Sequence, residues 1–280
     1  MKQWSLFLII ICFLQLGFAQ NIICPIQDRE AFSTRMETIS HLEGAEIGDN
    51  MVAIGKMFMG TPYVAKTLEI GVTESLVINL HQLDCTTFVE NVLAFNLMLQ
   101  QHKTDFESFT HFLETIRYKN GKLDGYASRL HYFSEWIANN EKKGIIRNIT
   151  SEIGGIEVNK EINFMSTHRD LYPFLKNEDN FRKIQASEKF LNHKSLCILP
   201  QDQIEANEHL IQSGDIIALT TSINGLDITH TGIASREADG RIHLLHASTG
   251  SMEVEVSQLP LSDYLKGIKS NTGIMVARPL

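Results

Sequence analysis

Cysteine is scarce in this sequence. The 280 residues contain four cysteines, one of which lies in the apolar run at the N-terminus. The other three, Cys24, Cys85 and Cys197, are too few for a fold held together by disulfides. Their odd number leaves at least one thiol unpaired in an exported protein. Pairing of Cys24 with Cys197 would leave Cys85 free, and the other pairings remain open.

Basic charge is also in short supply. The chain has 25 Lys and Arg against 33 Asp and Glu, which gives a net charge of −8. A non-specific nucleic-acid binder needs a basic face, so we expect no nucleic-acid partner. Internal repeats, low-complexity tracts and Pro- or Ser-rich linkers are missing as well. The length and the ordinary hydrophobic content of 43% predict a single domain over residues 20–280.

Long apolar runs are missing except at the N-terminus. Lys2 is followed by the apolar residues 6–16, and Gly17 and Ala19 supply the small residues of a cleavage site. The run is shorter than the roughly 20 apolar residues of a spanning helix. These features predict a signal peptide over residues 1–19. We therefore expect an exported, periplasmic protein with no membrane span after cleavage.

Hydrophobic periodicity divides the chain into a helical part and a later part rich in strands. Apolar residues recur at helical spacing up to about residue 140, and alternating β-branched segments follow residue 144. The predicted helices cover 28–39, 51–59, 84–102, 104–118 and 128–139, and 187–193 is read as short helix or loop. The predicted strands cover 144–150, 154–164, 216–221, 226–235, 241–248, 252–256 and 273–280. This order predicts an α+β fold with an antiparallel meander in its C-terminal third.

Cys85 lies at the predicted start of the helix over 84–102. Asp84 or Thr87 has the side-chain oxygen that can cap free backbone N–H groups at this point. In a first helical turn, those N–H groups and the helix dipole favour a thiolate. Cys85 is therefore a candidate nucleophile.

Two histidines occupy neighbouring predicted strands. If these strands pair about the turn at residues 238–240, facing residues have numbers that sum to about 478. His230 and His246 are then diagonal neighbours, within about 7–8 Å of each other. Their numbers have the same parity, which places both rings on one sheet face. If the start of the Cys85 helix packs on that face, His230 can act as the base and His246 can orient it.

Three other interpretations remain open for these residues. A single histidine in a strand is more often structural than catalytic. Cysteine and histidine are also zinc ligands, although the chain lacks the close C-x-x-C or H-E-x-x-H spacing of the stronger zinc motifs. We expect no metal and no cofactor. The third interpretation is a non-catalytic binding protein, which loss of Cys85, His230 or His246 would have favoured.

Several ordered motifs resemble those of the NlpC-type, papain-like cysteine hydrolases of the cell wall. Asp-Cys-Thr-Thr-Phe-Val at 84–89 is similar to that family's Asp-Cys-Ser-Gly-Phe-Val signature. Its Gly-x-Pro-Tyr segment matches residues 60–63, and its later motifs match Gly214-Asp215, His230-Thr-Gly-Ile-Ala and Leu-His246-Ala-Ser. The resemblance implies a papain-like fold in which the nucleophile begins a helix that packs on a C-terminal antiparallel sheet.

The departures from that pattern indicate a subfamily. Thr87 replaces the usual glycine, and Cys85 and His230 are 145 positions apart, farther than in a compact member. The segments 125–136 and 162–173 fill the gap and look like those of the N-acetylmuramoyl-L-alanine amidase-like subfamily. This resemblance implies hydrolysis of the amide between the lactyl group of N-acetylmuramic acid and L-alanine in peptidoglycan fragments (muropeptides). An endopeptidase that cuts between γ-D-glutamate and the diamino acid is the alternative.

The expected catalytic residues are Cys85 as nucleophile, His230 as base and His246 as its orienting partner. The backbone N–H of Cys85 is the expected oxyanion donor, with Gln82 as a second donor.

The expected substrate contacts are Tyr63, by resemblance, and Asp84, which would otherwise be only a helix cap. Arg129 and Tyr132, on the predicted helix 128–139, are further candidates. An arginine fork suits peptide carboxylates, although an ordinary solvated face is the commoner case.

Overall fold

The computed structural model describes residues 22–42 and 46–280. The predicted signal peptide, residues 1–19, lies outside the described residues. Helices dominate the described chain up to Lys142, and most strands follow Leu196. This order confirms the predicted α+β class. None of the helices in the two described ranges is long and apolar enough to cross a membrane.

The helices and strands have the following bounds. The α-helices are α1 (Ile26–Ile39), α2 (Ile47–Lys56), α3 (Cys85–Gln100), α4 (Phe106–Arg117), α5 (Phe133–Lys142), α6 (Phe164–Thr167), α7 (Glu178–Leu191), α8 (Ile204–Asn207) and α9 (Leu261–Lys266). The strands are β1 (Ile22–Ile23), β2 (Leu76–Val77), β3 (Ile146–Asn148), β4 (Ile156–Val158), β5 (Leu196–Pro200), β6 (Ile216–Thr221), β7 (Ile228–Arg236), β8 (Ile242–Ala247), β9 (Val254–Val256) and β10 (Asn271–Pro279). Short 3-10 turns include Tyr126–Ser128 and Pro173–Lys176.

One helix prediction is wrong at its start. The helix predicted over 128–139 begins only at Phe133, and a 3-10 turn over Tyr126–Ser128 precedes it. Arg129 has an extended backbone, so the chain cannot run on as one helix. Residues 187–191 form the end of the longer helix α7, residues 192 and 193 follow it as a turn, and β5 and α9 were not predicted.

The main sheet is antiparallel and buried on both faces. Its strand order is β4-β5-β10-β6-β7-β8-β9, with β3 also paired to β10. Along β6, Ile216 and Ala218 join the core that contains α3, whereas Ile217 and Leu219 join the core that contains α9. Helix α3 packs against β7 and β8. The start of α3 is thereby held against the strands that carry the two histidines.

The turn between β7 and β8 sets the predicted register. Ile233 pairs with Leu245, and Ala234 pairs with Leu244, so facing numbers sum to 478 as expected. On the other side, β7 pairs with β6 through Leu219 and His230, and the register shifts at the next pair. A bulge of this kind bends a strand locally, and here it lies beside His230.

The Gly214-Asp215 motif has a structural explanation. Gly214 has φ +88°, and a Cβ at this position would lie 2.3 Å from the Cα of Gly48. Only glycine fits so close a backbone approach. Asp215 accepts two hydrogen bonds from Arg278, each 2.8 Å long. The motif therefore joins α2 and β10 to the start of β6.

The two segments that fill the long spacing between Cys85 and His230 pack on each other. Their apolar side chains form a separate core, which comprises Tyr126, Tyr132, Ile162, Met165, Phe174, Leu175, Ile184 and Leu191. This core extends the domain beside the start of α3. It closes one side of the cleft described below.

Candidate active site

Cys85 is the first residue of α3, as predicted. The Asp84 side chain accepts a hydrogen bond from the Thr87 N–H at 2.8 Å, and the Asp84 N–H donates to the Thr87 hydroxyl at 2.9 Å. This reciprocal cap fixes the start of the helix. Because Cys85 and Thr86 are in the first turn, their backbone N–H groups have no acceptor within the helix.

The two histidines lie side by side. His230 Nε2 and His246 Nδ1 are 2.6 Å apart, and the rings cross at 84°. Both side chains are buried. The predicted diagonal pair across β7 and β8 is therefore present. Since Nε2 of His230 is engaged by His246, Nδ1 is the His230 nitrogen left for a proton from another group.

The Cys85 thiol lies against β7 next to His230. Thr231, the residue after His230, and Thr86 both act on the protonation of the sulfur. Cys85 remains partly exposed. The structure thus packs the helix that begins with Cys85 against the two strands that carry His230 and His246.

Burial dominates the protonation of this site. It raises the pKa of the Cys85 thiol to about 12, with a further contribution from the Asp84 charge, and the Thr231 and Thr86 donors offset only part of this. Burial also lowers the pKa of His230 to about 4. Burial thus opposes the resting thiolate that the first-turn N–H groups and the helix dipole favour. Its direction at both groups favours a thiol beside a neutral imidazole.

Tyr63 and Gln82 both lie near the start of α3, since Tyr63 forms a parallel β-bridge with Leu83. Burial and the charges of Cys85 and Asp84 raise the pKa of Tyr63 to about 12, which places the phenol in their electrostatic reach. The Gln82 backbone N–H donates to Asn79 Oδ1 at 2.8 Å, and the residue is exposed. Only the Gln82 side chain is thus free for the predicted oxyanion contact.

A cleft of about 190 Å³ opens beside the start of α3. Its walls carry charged and polar groups on both sides, and Asp84 and Arg129 are both among them. The lining residues are Lys66, Leu68, Glu69, Asp84, Thr86, Glu90, Arg117, Arg129, Leu130, His131 and Tyr172. Asp84 and Thr86, the chain neighbours of Cys85, line the cleft, whereas Cys85, His230 and His246 are not among its lining residues.

Arg129 is buried and already paired. Its guanidinium forms ion pairs with Glu69 and, at 3.2 Å, with Glu74. Burial opposes the charge, but Glu74 and Glu69 raise the pKa of Arg129 above its usual value. The alternative of an ordinary solvated helix face does not hold for Arg129, because its side chain is buried. Arg129 presents to the cleft a charge that two carboxylates largely compensate.

Tyr132 does not line the cleft. Its hydroxyl donates to Glu188 at 2.7 Å and accepts from the Met165 N–H at 2.9 Å. These bonds tie α7 and α6 to the segment before α5. They fit a structural role for Tyr132 rather than the predicted substrate contact.

Comparison with known proteins identifies the family. The model of the N-acetylmuramoyl-L-alanine amidase-like (AmiA-like) family matches residues 53–274, which include the cleft, Cys85 and both histidines. The chain belongs to this amidase-like family. Among curated proteins, none matches the chain.

Solved structures include similar members. An N-acetylmuramoyl-L-alanine amidase from Bacteroides uniformis is 40% identical, with a TM-score of 0.80, and the match covers 84% of this chain and 100% of that one. A Bacteroides fragilis protein with the provisional name of xylanase is 45% identical, with a TM-score of 0.76 and coverage of 80% and 98%. A Legionella pneumophila protein, 22% identical with a TM-score of 0.68 and coverage of 90% and 95%, shares the fold.

The amidase-like chain also has a buried ion pair that the sequence did not reveal. Arg117 Nε donates to Glu90 at 2.7 Å, and both side chains are only 2% exposed. Trp136 Nε1 donates to the same carboxylate at 3.3 Å. The single signal in the sequence was a carboxylate within the apolar pattern of the Cys85 helix.

The histidine geometry also bears on a metal site. His230 Nε2 and His246 Nδ1 face each other at 2.6 Å. These two nitrogens therefore cannot both bind one metal ion between them. In the part of the chain that the structure describes, no group of three or more His, Cys, Asp or Glu has a metal-binding arrangement.

Proposed function

We propose that this protein is an exported cysteine amidase with a papain-like site, which hydrolyses the N-acetylmuramoyl-L-alanine amide of muropeptides. The observation that carries the proposal is the placement of Cys85 at the first residue of α3, a helix that packs on β7 and β8, the strands that carry the His230–His246 pair. Family membership supports an amide of peptidoglycan as the substrate.

The first step forms a thioester. The Cys85 sulfhydryl gives its proton to His230 Nδ1 as the sulfur attacks the lactyl carbonyl carbon. Because the resting thiol and imidazole are both neutral, proton transfer accompanies attack. His230 then gives the proton to the L-alanine nitrogen as the C–N bond breaks, and the peptide leaves with a free amine.

Water completes the cycle. His230 takes a proton from a water molecule that attacks the thioester carbonyl, and the C–S bond breaks. The muramoyl carboxylate leaves, and Cys85 regains its proton. His246 holds the His230 ring through the 2.6 Å contact in both steps.

The developing oxyanion needs donors that are already oriented. The Cys85 N–H is such a donor, because it has no acceptor within the helix. The exposed Gln82 side chain is the proposed second donor. Its removal should lower kcat more than it raises KM, since the contact strengthens only in the transition state.

The cleft beside Cys85 is the proposed site of the stem peptide. Tyr63 and Asp84 lie next to the thiol, so we assign them contacts near the scissile bond. Asp84 uses one oxygen, Oδ1, for both bonds to Thr87. Lys66 and Arg129 also line this cleft and are the proposed partners of peptide carboxylates. The predicted signal peptide would deliver the enzyme to the periplasm, where such fragments occur.

Digestion of defined muropeptides tests the bond that is cut. The mature protein and Cys85→Ala are incubated with a disaccharide tetrapeptide, and products are read by mass spectrometry. The proposal expects an intact tetrapeptide with an N-terminal L-alanine, absent with Cys85→Ala. Release of muramoyl-L-Ala-D-Glu would instead establish the alternative endopeptidase. No cleavage of either bond would overturn both.

A further inference from the structure

One nitrogen of the histidine pair is buried without a partner. His246 is 0% exposed, and its Nε2 makes no hydrogen bond within the described part of the chain. A buried polar atom left unpaired costs stability, so such atoms call for an explanation. This nitrogen lies on the side of His246 away from His230.

The proposed reaction fixes which nitrogens carry protons. His230 Nδ1 must be free to accept the Cys85 proton, so neutral His230 carries its hydrogen on Nε2. That N–H donates to His246 Nδ1, which must therefore be an acceptor. Neutral His246 then carries its own hydrogen on Nε2. The unpaired buried atom is thus a donor.

A carboxylate stands opposite this donor. Glu255 on β9 is the direct register partner of His246 on β8, so the two side chains leave the sheet on the same face. Glu255 Oε1 lies 3.9 Å from His246 Nε2, and the Glu255 side chain is 29% exposed. A hydrogen bond requires an approach of about 1 Å, which rotation of a partly exposed glutamate allows.

We propose that Glu255 is a positioning residue for the proposed reaction: its carboxylate accepts the His246 Nε2 hydrogen and stabilises the cation that forms on the His230–His246 pair. The chain of contacts then runs from Cys85 through His230 and His246 to Glu255. In this structure the contact between Glu255 Oε1 and His246 Nε2 is open at 3.9 Å. The contact tightens when the His230–His246 pair is protonated.

The other groups that face His246 do not supply this charge. Its neighbours are His230 from β7 and Tyr264 from α9, whose ring meets that of His246 edge-on at 5.5 Å. Burial and repulsion from His230 lower the pKa of His246 to about 3. Burial and the charge of Glu255 raise the pKa of Tyr264, so this phenol stays neutral near Glu255. Glu255 is the anion that offsets protonation of the pair.

The test follows the rate of Cys85 alkylation by iodoacetamide against pH. Peptide mass spectrometry separates Cys85 from Cys24 and Cys197. The variants are Glu255→Gln, which removes the charge at constant size, and Glu255→Asp, which keeps it. The matched control is Asp263→Asn, since Asp263 is the neighbour of Tyr264 and pairs with Lys266 at the surface. Thermal melts verify that all four proteins are folded.

A carboxylate near an imidazole raises its pKa, so its removal should weaken the base. The acid limb is the part of the profile in which the alkylation rate falls as the pH is lowered. Glu255→Gln should move this limb to a pH about one unit lower. It should also reduce the maximal rate, the plateau, about three- to tenfold. Glu255→Asp should retain most of the wild-type limb, and Asp263→Asn should match wild type. An unshifted limb in Glu255→Gln, with or without a lower plateau, would overturn the positioning role.

This inference rests on the proposed function but can fail separately from it. Alkylation needs no substrate, and kcat/KM on the disaccharide tetrapeptide is measured in parallel. A shifted limb with no muropeptide cleavage would retain Glu255 and reject the amidase. Muropeptide cleavage with an unshifted limb would retain the amidase and reject Glu255.

Discussion

Replacement of Glu90 by alanine should destabilise the protein more than any surface change. Glu90 lies in the helix that begins with Cys85, and its carboxylate holds Arg117 at 2.7 Å. Arg117 also donates to the Val77 carbonyl at 2.6 Å. Both charged side chains are only 2% exposed, so the guanidinium that loses its partner stays poorly hydrated even though both residues border the cleft. The variant leaves an uncompensated charge in the core.

The magnitude follows from the burial of the pair. Removal of one partner of a buried ion pair costs about 3–5 kcal/mol. In a chain of this length, each kcal/mol lowers Tm by about 2–4 °C, so Glu90→Ala should melt about 6–20 °C below wild type. The exposed pair between Arg147 and Glu152, with side chains 48% and 51% exposed, is the matched control. Glu152→Ala should cost about 0.5 kcal/mol or less.

Urea and thermal unfolding, followed by circular dichroism, measure both variants. The double variant Glu90→Leu with Arg117→Met removes both charges together, so it should recover most of the lost stability. If Glu90→Ala loses no more than Glu152→Ala, the buried charge is not paired as described. If the double variant is as unstable as Glu90→Ala, packing rather than charge explains the loss.

Three further predictions concern His230, Asp84 and Tyr132. Activity should fall as the pH drops through about 4, because burial lowers the pKa of His230 to about 4. A protonated His230 ring cannot accept the Cys85 proton. Measurement of kcat/KM against pH tests this. The unfolded chain binds the His230 proton nearer pH 6.5, so stability in urea should fall by up to about 3 kcal/mol between pH 6.5 and 4. Asp84→Ala should lose about 1 kcal/mol with the helix cap, and Asp84→Asn should keep it. If both Asp84 variants lower kcat/KM alike, Asp84 also contacts substrate. Tyr132→Phe should cost about 1–3 kcal/mol in melting experiments, since it leaves the Met165 N–H unpaired. A fall in its kcat/KM without a loss of stability would return Tyr132 to the substrate site.

Local patterns predicted much of the fold and the centre of the site. The cap at Asp84 and the apolar spacing behind Cys85 mark a helix start, and the helix begins there. The turn at residues 238–240 set the register that brings His230 to His246. Such features depend on neighbours along the chain or across one turn, so the sequence carries them directly.

Long-range pairing of charges was outside the reach of those patterns. The sequence around Arg129 is compatible with an ordinary solvated helix face, but Arg129 pairs with Glu69, 60 positions away. Glu90 finds Arg117 27 positions away. The effect of burial on the pKa of the Cys85 thiol was missed for a related reason, because burial is a property of the folded chain. Helix α7 was predicted too short because few of its residues are apolar, and only Ile184, Glu188 and Leu191 are buried.

The proposed chemistry is tested most directly by trapping the covalent intermediate. The mature protein is mixed with a disaccharide tetrapeptide, quenched in acid within milliseconds to seconds, and digested for mass spectrometry of the Cys85 peptide. An amidase predicts a thioester whose added mass is that of the disaccharide with its lactyl acyl group, without any amino acid. An adduct that includes L-Ala-D-Glu would contradict the proposed bond, and turnover without any adduct on Cys85 would contradict the proposed nucleophile.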